Sequence, residues 1–491
     1  MNKIDVKEKF RPQYHFSPES NWMNDPNGMV YYAGEYHLFY QHHPYGTTWG
    51  PMHWGHAVSK DLIQWDHLPI ALEPDEHGDI FSGSVVVDWN DSTGFFQGAS
   101  GLVAIFTHAD QYPDSDRPRQ RQSLAYSTDH GRTWTKYEGN PVLTEESITD
   151  FRDPKVFWHE DKNKWMMVLA AGNHVRFYSS DNLISWEFAS EFGAQAGSHA
   201  GVWECPDIFK LPVDGNKDSS KWVMIVSIGN DTAFAEGSRT QYFIGEFDGI
   251  SFTNDNPDDT VLWLDHGRDN YAGVTWSDIP HEDGRRLFIG WMSNWKYANE
   301  TPTVGWRSAM TLPRELSLKE TSDGVRLIQA PVAELEKIRG EKRSWDQFIL
   351  EPEKNVSVDV SGNLLEVIAE FELQSATEFG IKIRNSDSKE TIIGYDAVNE
   401  FLFVNRINSG VTEFNEYFPC MHGAPLKSEN NRIKLQIFVD SSSVEIFANN
   451  GQVVITDLIF PDPKSTGIEL YTTNKKVKLA SLAIVQLASV F

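Results

Sequence analysis

The chain has 491 residues and carries 43 Lys and Arg against 70 Asp and Glu, a formal net charge of −27. Such acidity, with no compensating basic run, argues against a nucleic-acid or anionic-membrane partner, because phosphates would repel it. Two cysteines, Cys205 and Cys420, make neither a disulfide framework nor a zinc site. The apolar runs, such as residues 222–228, are far too short to span a bilayer. The charged N-terminus has no apolar stretch behind it and does not read as a secretory leader. The expectation is a cytoplasmic protein if Met1 is native, and a secreted one if a leader has been removed. Aromatic residues make up 13% of the chain; most fill a core, but Trp and Tyr also suit a wet cleft that holds sugar faces.

In chain order, the first pattern is a hairpin, Val30-Tyr31-Tyr32 and Tyr36-His37-Leu38-Phe39-Tyr40 around a Gly turn. The segments 156–159 and 164–169 repeat it. Further strands are expected at 102–107, 122–127, 174–179, 222–228, 240–246 and 286–291. A motif also recurs: Ser59-Lys60-Asp61-Leu62-Ile63-Gln64-Trp65, then Ser127 to Trp134, Ser179 to Trp186 and, more weakly, Phe247 to Phe252. Each copy is a strand end, a Ser/Asp turn and an aromatic opening the next strand. Ordinary hairpins with Asp turns could produce it, but four-stranded propeller blades fit the spacing better. About 330 residues at roughly 60 per unit makes five blades.

The texture changes near residue 331. A short helix with Pro331 at its start and Gly340 at its end leads into a charged segment, and then come closely spaced strands without the first repeat. The expected organisation is all-β: residues 1–335 a five-bladed β-propeller, 336–345 a linker, and 346–491 a β-sandwich.

Three carboxylates stand in constrained surroundings. Asp25 lies in Trp22-Met23-Asn24-Asp25-Pro26-Asn27-Gly28, Asp153 in Phe151-Arg152-Asp153-Pro154-Lys155, and Glu204 in Trp203-Glu204-Cys205-Pro206-Asp207. A proline follows each within two positions. Acid-proline pairs also start ordinary turns, so spacing alone leaves both readings open.

These three segments resemble the acidic motifs of glycoside hydrolase family 32, the β-fructofuranosidases. The similarity continues through Gln41, residues 49–56, 81–84, 265–269 and 290–295, and covers nearly the whole chain. Within the family it looks closest to bacterial levanases and exo-inulinases. The resemblance implies a propeller followed by a sandwich, and a retaining hydrolysis of terminal fructosyl units of levan, inulin or sucrose without cofactor or metal. Asp25 is then the nucleophile, Glu204 the acid and later the base, and Asp153 the transition-state stabiliser. An ionised Asp25 is expected to favour the protonated form of Glu204. By the same resemblance Asn24, Gln41, Ser82 and Arg152 supply directed polar contacts, and Trp22, Trp49, Phe81 and Trp291 form apolar walls. Asp265 and Arg268 match a motif that contacts sugar or tunes the acid.

A fructosyltransferase would use the same intermediate, and the motifs do not separate it from a hydrolase. A non-catalytic sugar-binding propeller has no need of the Asp25/Glu204 pair, and no arginine cluster can be assigned to a sialic-acid carboxylate. The histidines 42, 43, 53 and 56 lack a carboxylate set for a metal. Cys205 reads as packing near the pocket floor. The oligomeric state is not legible. Asn230-Asp231-Thr232 is a glycosylation sequon only in a eukaryotic secretory setting.

Overall fold

The computed structural model describes residues 8–229, 234–352, 354–386 and 388–491. The extreme N-terminus up to Lys7 and the sequon at 230–232 lie outside them. The first hairpin turns through Ala33 and Gly34, both at positive φ (51° and 87°), with Tyr32 paired to Glu35. Such a two-residue turn matches the right-handed twist of its flanking strands.

Five antiparallel units follow. Their inner strands are Asn21–Tyr32, Asp79–Asp88, Phe151–His159, Trp203–Val213 and Tyr271–Thr275. Each packs on the next, and the last returns to the first. That ring of five is the propeller. It is stitched shut by Trp306–Arg307, which runs parallel to the start of the first inner strand, while Ala309–Met310 pairs within the fifth blade. The recurring motif proves to be the turn between the third and fourth strands of blades one to four. Asp61, Asp129 and Asp248 accept the backbone N–H groups of that turn, and the closing tryptophans 65 and 134 donate back to its carbonyls. In the third copy the capping residue is Asn182, not Asp181. Blade five joins Arg314–Thr321 to Gly324–Pro331 by a two-residue turn, so it carries no copy.

The sandwich packs a seven-stranded sheet on a six-stranded one. Leu365, Val367, Ala369 and Phe371 alternate inward along one strand and meet Ile381, Ile393 and Leu470 from the facing sheet. Period-two alternation is what one buried face demands, and each such large side chain contributes about 1.5–3 kcal/mol.

Residues 336–345 are not the linker their charges suggested. Ala333–Ile338 form a short 3-10 helix, and Arg339–Trp345 are an outer strand paired antiparallel with Val477–Leu487. Exposed edge strands carry charges that discourage pairing with other chains, so the composition imitates a connector. Arg339 clamps the strand by gripping both oxygens of buried Glu366, at 2.6 and 2.8 Å.

Propeller and sandwich share one apolar cluster, in which Phe438, Phe447 and Val485 join Trp22, Trp291 and Met310. Buried charges cross the same seam. Arg314, fully buried, bonds Asp265 at 3.1 Å and Glu445 at 2.6 Å. His15 sits between Asp440 and Glu445 at 2.7 and 2.8 Å. Burial opposes its protonation, but the two carboxylates outweigh it and raise it to about 9. Removing one partner of a buried ion pair strands the others. Arg314→Met is therefore expected to lose about 3–5 kcal/mol of stability in denaturant unfolding; an unchanged midpoint would show that the seam does not rely on this arginine.

Candidate active site

All five inner strands break register near the same end of the propeller. The irregularities fall between Met23 and Pro26, Ile80 and Gly83, Arg152 and Lys155, Glu204 and Asp207, and Tyr271 and Val274. A bulge frees the chain from the ladder and re-aims one side chain. Proline, lacking the ladder N–H, is tolerated there. That explains why each acidic residue has a proline close behind it: Asp25 and Asp153 sit in bulges of inner strands, and Glu204 borders one. Asp153 and Cys205 hold positive φ, 65° and 46°, a conformation that costs non-glycine residues about 1–3 kcal/mol and clusters at functional sites.

The bulges bring their side chains together. Ser82 Oγ donates to Asp25 Oδ2 at 2.8 Å, and Asn24 Nδ2 to Asp25 Oδ1 at 3.0 Å. Trp22 Nε1 donates to Asn24 Oδ1 at 2.7 Å, which fixes the Asn24 amide so that its NH2 faces the carboxylate. Arg152 Nη2 bonds Glu204 Oε1 at 2.8 Å while its Nη1 bonds Asp150 at 2.6 Å. The Cys205 backbone N–H donates to Asp153 Oδ2 at 2.9 Å. Its thiol lies 3.5 Å from Asp25 Oδ2 and 3.6 Å from Asp153 Oδ2, on the floor of the site.

The electrostatics follow from burial and crowding. Burial, then the charge of Glu204, raises Asp25 above the usual carboxylate range, against the hydrogen bonds of Asn24, Ser82 and Cys205. Asp153 is pushed up to about 7, chiefly by burial; Arg152 opposes this, and the charges of Glu204 and Asp25 add to it. Burial and the same three carboxylates hold the Cys205 thiol far above its ordinary value. It is a hydrogen-bond donor here and not a nucleophile.

Aromatic side chains pack beside the cluster, Trp22 and Trp291 fully buried in the core. The rings of Trp22 and Trp291 lie 6.1 Å apart, and Trp295 packs 5.9 Å and 4.7 Å from them respectively. Trp291 Nε1 is buried without an acceptor among the described residues. Phe81 meets Trp49 edge-on at 6.2 Å. Trp49 is 46% exposed and stands at the rim, its backbone N–H held by Asn299 Oδ1. Gln41 lies lower, its amide N–H groups taken by Asn27 Oδ1 and the Ile80 carbonyl.

Asp265 and Arg268 do not join this cluster. The Asp265 carboxylate accepts bonds from Gly267, Asn270, Arg314 and Thr456, all at the seam with the sandwich. Arg268 gives its backbone N–H to Asp457 and turns its guanidinium toward Glu236, 3.8 Å away. The cause is a partner far along the chain: residues 266–269 lie along the sandwich strand Val453–Leu458. A Cβ on Gly267 would fall 2.0 Å from the Thr456 carbonyl, so only glycine admits that approach.

Sequence reasoning missed Tyr271, whose hydroxyl donates to Glu204 Oε2. It lies two residues beyond the matched 265–269 segment, and its register partner is Trp291. The supports of Arg152, namely Asp150 and Gln120, carried no motif at all.

With this geometry in place, comparison with known proteins is direct. Residues 15–331 match the N-terminal domain of glycosyl hydrolases family 32, and residues 334–486 its C-terminal domain. The levanase of Bacillus subtilis (strain 168) is 58% identical over 490 residues, covering 99% of this chain and 71% of that protein. An extracellular exo-inulinase of Aspergillus awamori is 38% identical, covering 99% of this chain and 96% of that one. The crystal structure of an exo-inulinase from Aspergillus awamori superposes with a TM-score of 0.90 at 36% identity, covering 99% and 100% of the two chains. A bulged carboxylate cluster at one end of a five-bladed ring, a sandwich sealed against its side, and two domain matches that between them span the molecule lead to one assignment: the chain is a glycoside hydrolase and belongs to glycosyl hydrolases family 32.

Proposed function

We propose that the protein is a retaining, exo-acting β-fructofuranosidase that releases terminal fructose from levan, inulin and sucrose. One observation carries the exo reading: almost no free space lies below the carboxylates. Beneath them remains a cavity of about 10 Å³, lined by Pro26, Ser82, Asp153, Lys155, Cys205 and Val274. That is about the space of a single water, so a polymer cannot thread past the reacting bond.

The two carboxyl groups take different parts. Asp25, held at both oxygens by Asn24 and Ser82, attacks the anomeric carbon. Glu204, pinned by Arg152 and Tyr271, protonates the departing oxygen and later takes a proton from the incoming water. Asp153 accepts hydrogen bonds from the fructosyl hydroxyls as the ring flattens, which accelerates the step only so far as those bonds strengthen in the transition state. The exposed rim at Trp49 leaves the rest of the substrate outside, so different leaving groups are accepted. Relatives named levanase and exo-inulinase support this range.

Chromatography of early digests tests the proposal. Levan and inulin should yield free fructose and slowly shortened polymer, and sucrose should yield equal fructose and glucose. A ladder of short oligosaccharides at low conversion would overturn the exo reading. Fructosyl oligomers growing from sucrose in place of free fructose would establish transfer to sugar over hydrolysis.

A further inference from the structure

A second group of ionisable side chains lies in the sandwich, away from the catalytic carboxylates. Cys420, half-buried just before the strand Met421–Pro425, places its Sγ 3.4 Å from His422 Nδ1. Residues two apart in extended chain share a face, which brings the two side chains together. His422 Nε2 is 2.9 Å from both carboxylate oxygens of Asp457, which is fully buried. Arg406, also fully buried, donates its backbone N–H to the Cys420 carbonyl at 3.0 Å. Its guanidinium lies 3.5 Å from Asp457 and 2.6 Å from Asp269, with the Tyr297 hydroxyl bridging it to Asp269. The charges around the thiol are thus two cations, Arg406 and His422, and two carboxylates, Asp457 and Asp269.

A reactive thiol needs a base within reach, a third group that orients the base, a positive neighbour and an opening to solvent. Cys420 has all four. Nothing in fructan hydrolysis uses them, and a purely structural link between Asp457 and Arg406 needs no thiol.

We propose that Cys420, with His422 and Asp457, forms a thiolate modification site that reacts with hydroperoxides and then with small thiols. The Cys420 sulfur attacks one peroxide oxygen; the S–O bond forms as the O–O bond breaks, and the His422 imidazolium gives its proton to the departing oxygen. Sulfur loses two electrons to give a sulfenic acid, and the hydroperoxide is reduced to water or an alcohol. An external thiol then condenses with the sulfenic acid: the S–S bond forms, the S–O bond breaks, and water leaves with the thiol proton. The chain's other cysteine, Cys205, is buried at the floor of the catalytic pocket, so the resolving thiol comes from solution.

The protonation balance agrees with the geometry. Burial alone would raise the Cys420 thiol, but Arg406 and the His422 hydrogen bond bring it down to about 7, against the charge of Asp457. Burial opposes the protonation of His422, and Asp457 overcomes it, raising the imidazole to about 9. Near neutrality a large share of Cys420 is therefore thiolate, paired with an imidazolium.

The test uses the folded full chain. Limiting iodoacetamide, followed by peptide mass spectrometry, should label Cys420 and spare Cys205, with a rate that rises through an inflection near pH 7. A brief pulse of hydrogen peroxide with dimedone should give a Cys420 adduct, and the same pulse with glutathione a mixed disulfide. His422→Asn should slow alkylation at pH 7 about fivefold and move the inflection up by about one unit. Cys420→Ser should abolish both adducts and keep wild-type hydrolysis of levan. An inflection at or above the ~8.5 of a free thiol, an unlabelled Cys420 in folded protein, or an unchanged rate in folded His422→Asn would each overturn the proposal. If His422→Asn does not fold, the wild-type inflection and the dimedone adduct decide it. Loss of hydrolysis in Cys420→Ser would recast the cluster as a support of the fold.

Discussion

Asp25→Ala is expected to lower turnover on levan or sucrose by roughly four or more orders of magnitude while leaving the thermal transition in place. In the proposed reaction this carboxylate is the group that bonds to the anomeric carbon, and no neighbour can replace it. Asp153 is held by the Cys205 backbone N–H, and the Cys205 thiol, far above its ordinary value, stays protonated. Glu204→Gln is expected to fall comparably on sucrose, but much less on fructosyl fluoride, whose leaving group departs without a proton. That split separates an acid from a mere structural partner of Arg152. A folded Asp25→Ala with near-normal turnover would sink the nucleophile assignment, and equal losses on both substrates would remove Glu204 from the acid's role.

Much of this was legible in the chain because its causes are local. The recurring Ser/Asp turn is a short hydrogen-bond pattern around Asp61, Asp129 and Asp248, and side-chain caps of this kind leave a mark on adjacent residues. The proline behind each acidic residue marks a bulge for the same reason. What stayed hidden has partners far away in sequence. Asp265 was placed with the pocket because residues 265–269 match a family motif, yet the groups that claim it, Arg314 and Thr456, come from blade five and the sandwich. Tyr271 reaches Glu204 only because the fourth and fifth inner strands are neighbours in a closed ring, and a single strand does not show that. The edge strand Arg339–Trp345 read as a connector because exposed edges and linkers select the same charged residues.

Asp153→Asn is expected to change activity and stability in opposite directions. Turnover should fall by about three orders of magnitude with little change in KM, because the carboxylate's bonds to the sugar matter most when the ring is flattened and positive. The fold, by contrast, should gain. Burial, together with the charges of Glu204 and Asp25, pushes Asp153 up to about 7, and Arg152 offsets only part of this. A carboxyl that binds its proton more tightly folded than unfolded favours the folded state fully below the ordinary carboxylate range. That advantage disappears as pH rises through about 7. Above that pH the protein bears the whole cost of an ionised Asp153 among like charges, and an asparagine, neutral and of the same shape, does not. The variant should therefore melt several degrees above wild type at pH 8 and close to it at pH 4, with the difference growing between. Strain at Asp153 is kept either way, since its positive φ belongs to the bulge and asparagine adopts it as readily as aspartate. A variant that melts lower at pH 8 would mean that the Cys205 N–H and Arg152 favour the charge more than burial opposes it. The fold at this point would then be supported by the same carboxylate that serves the reaction, and not strained by it.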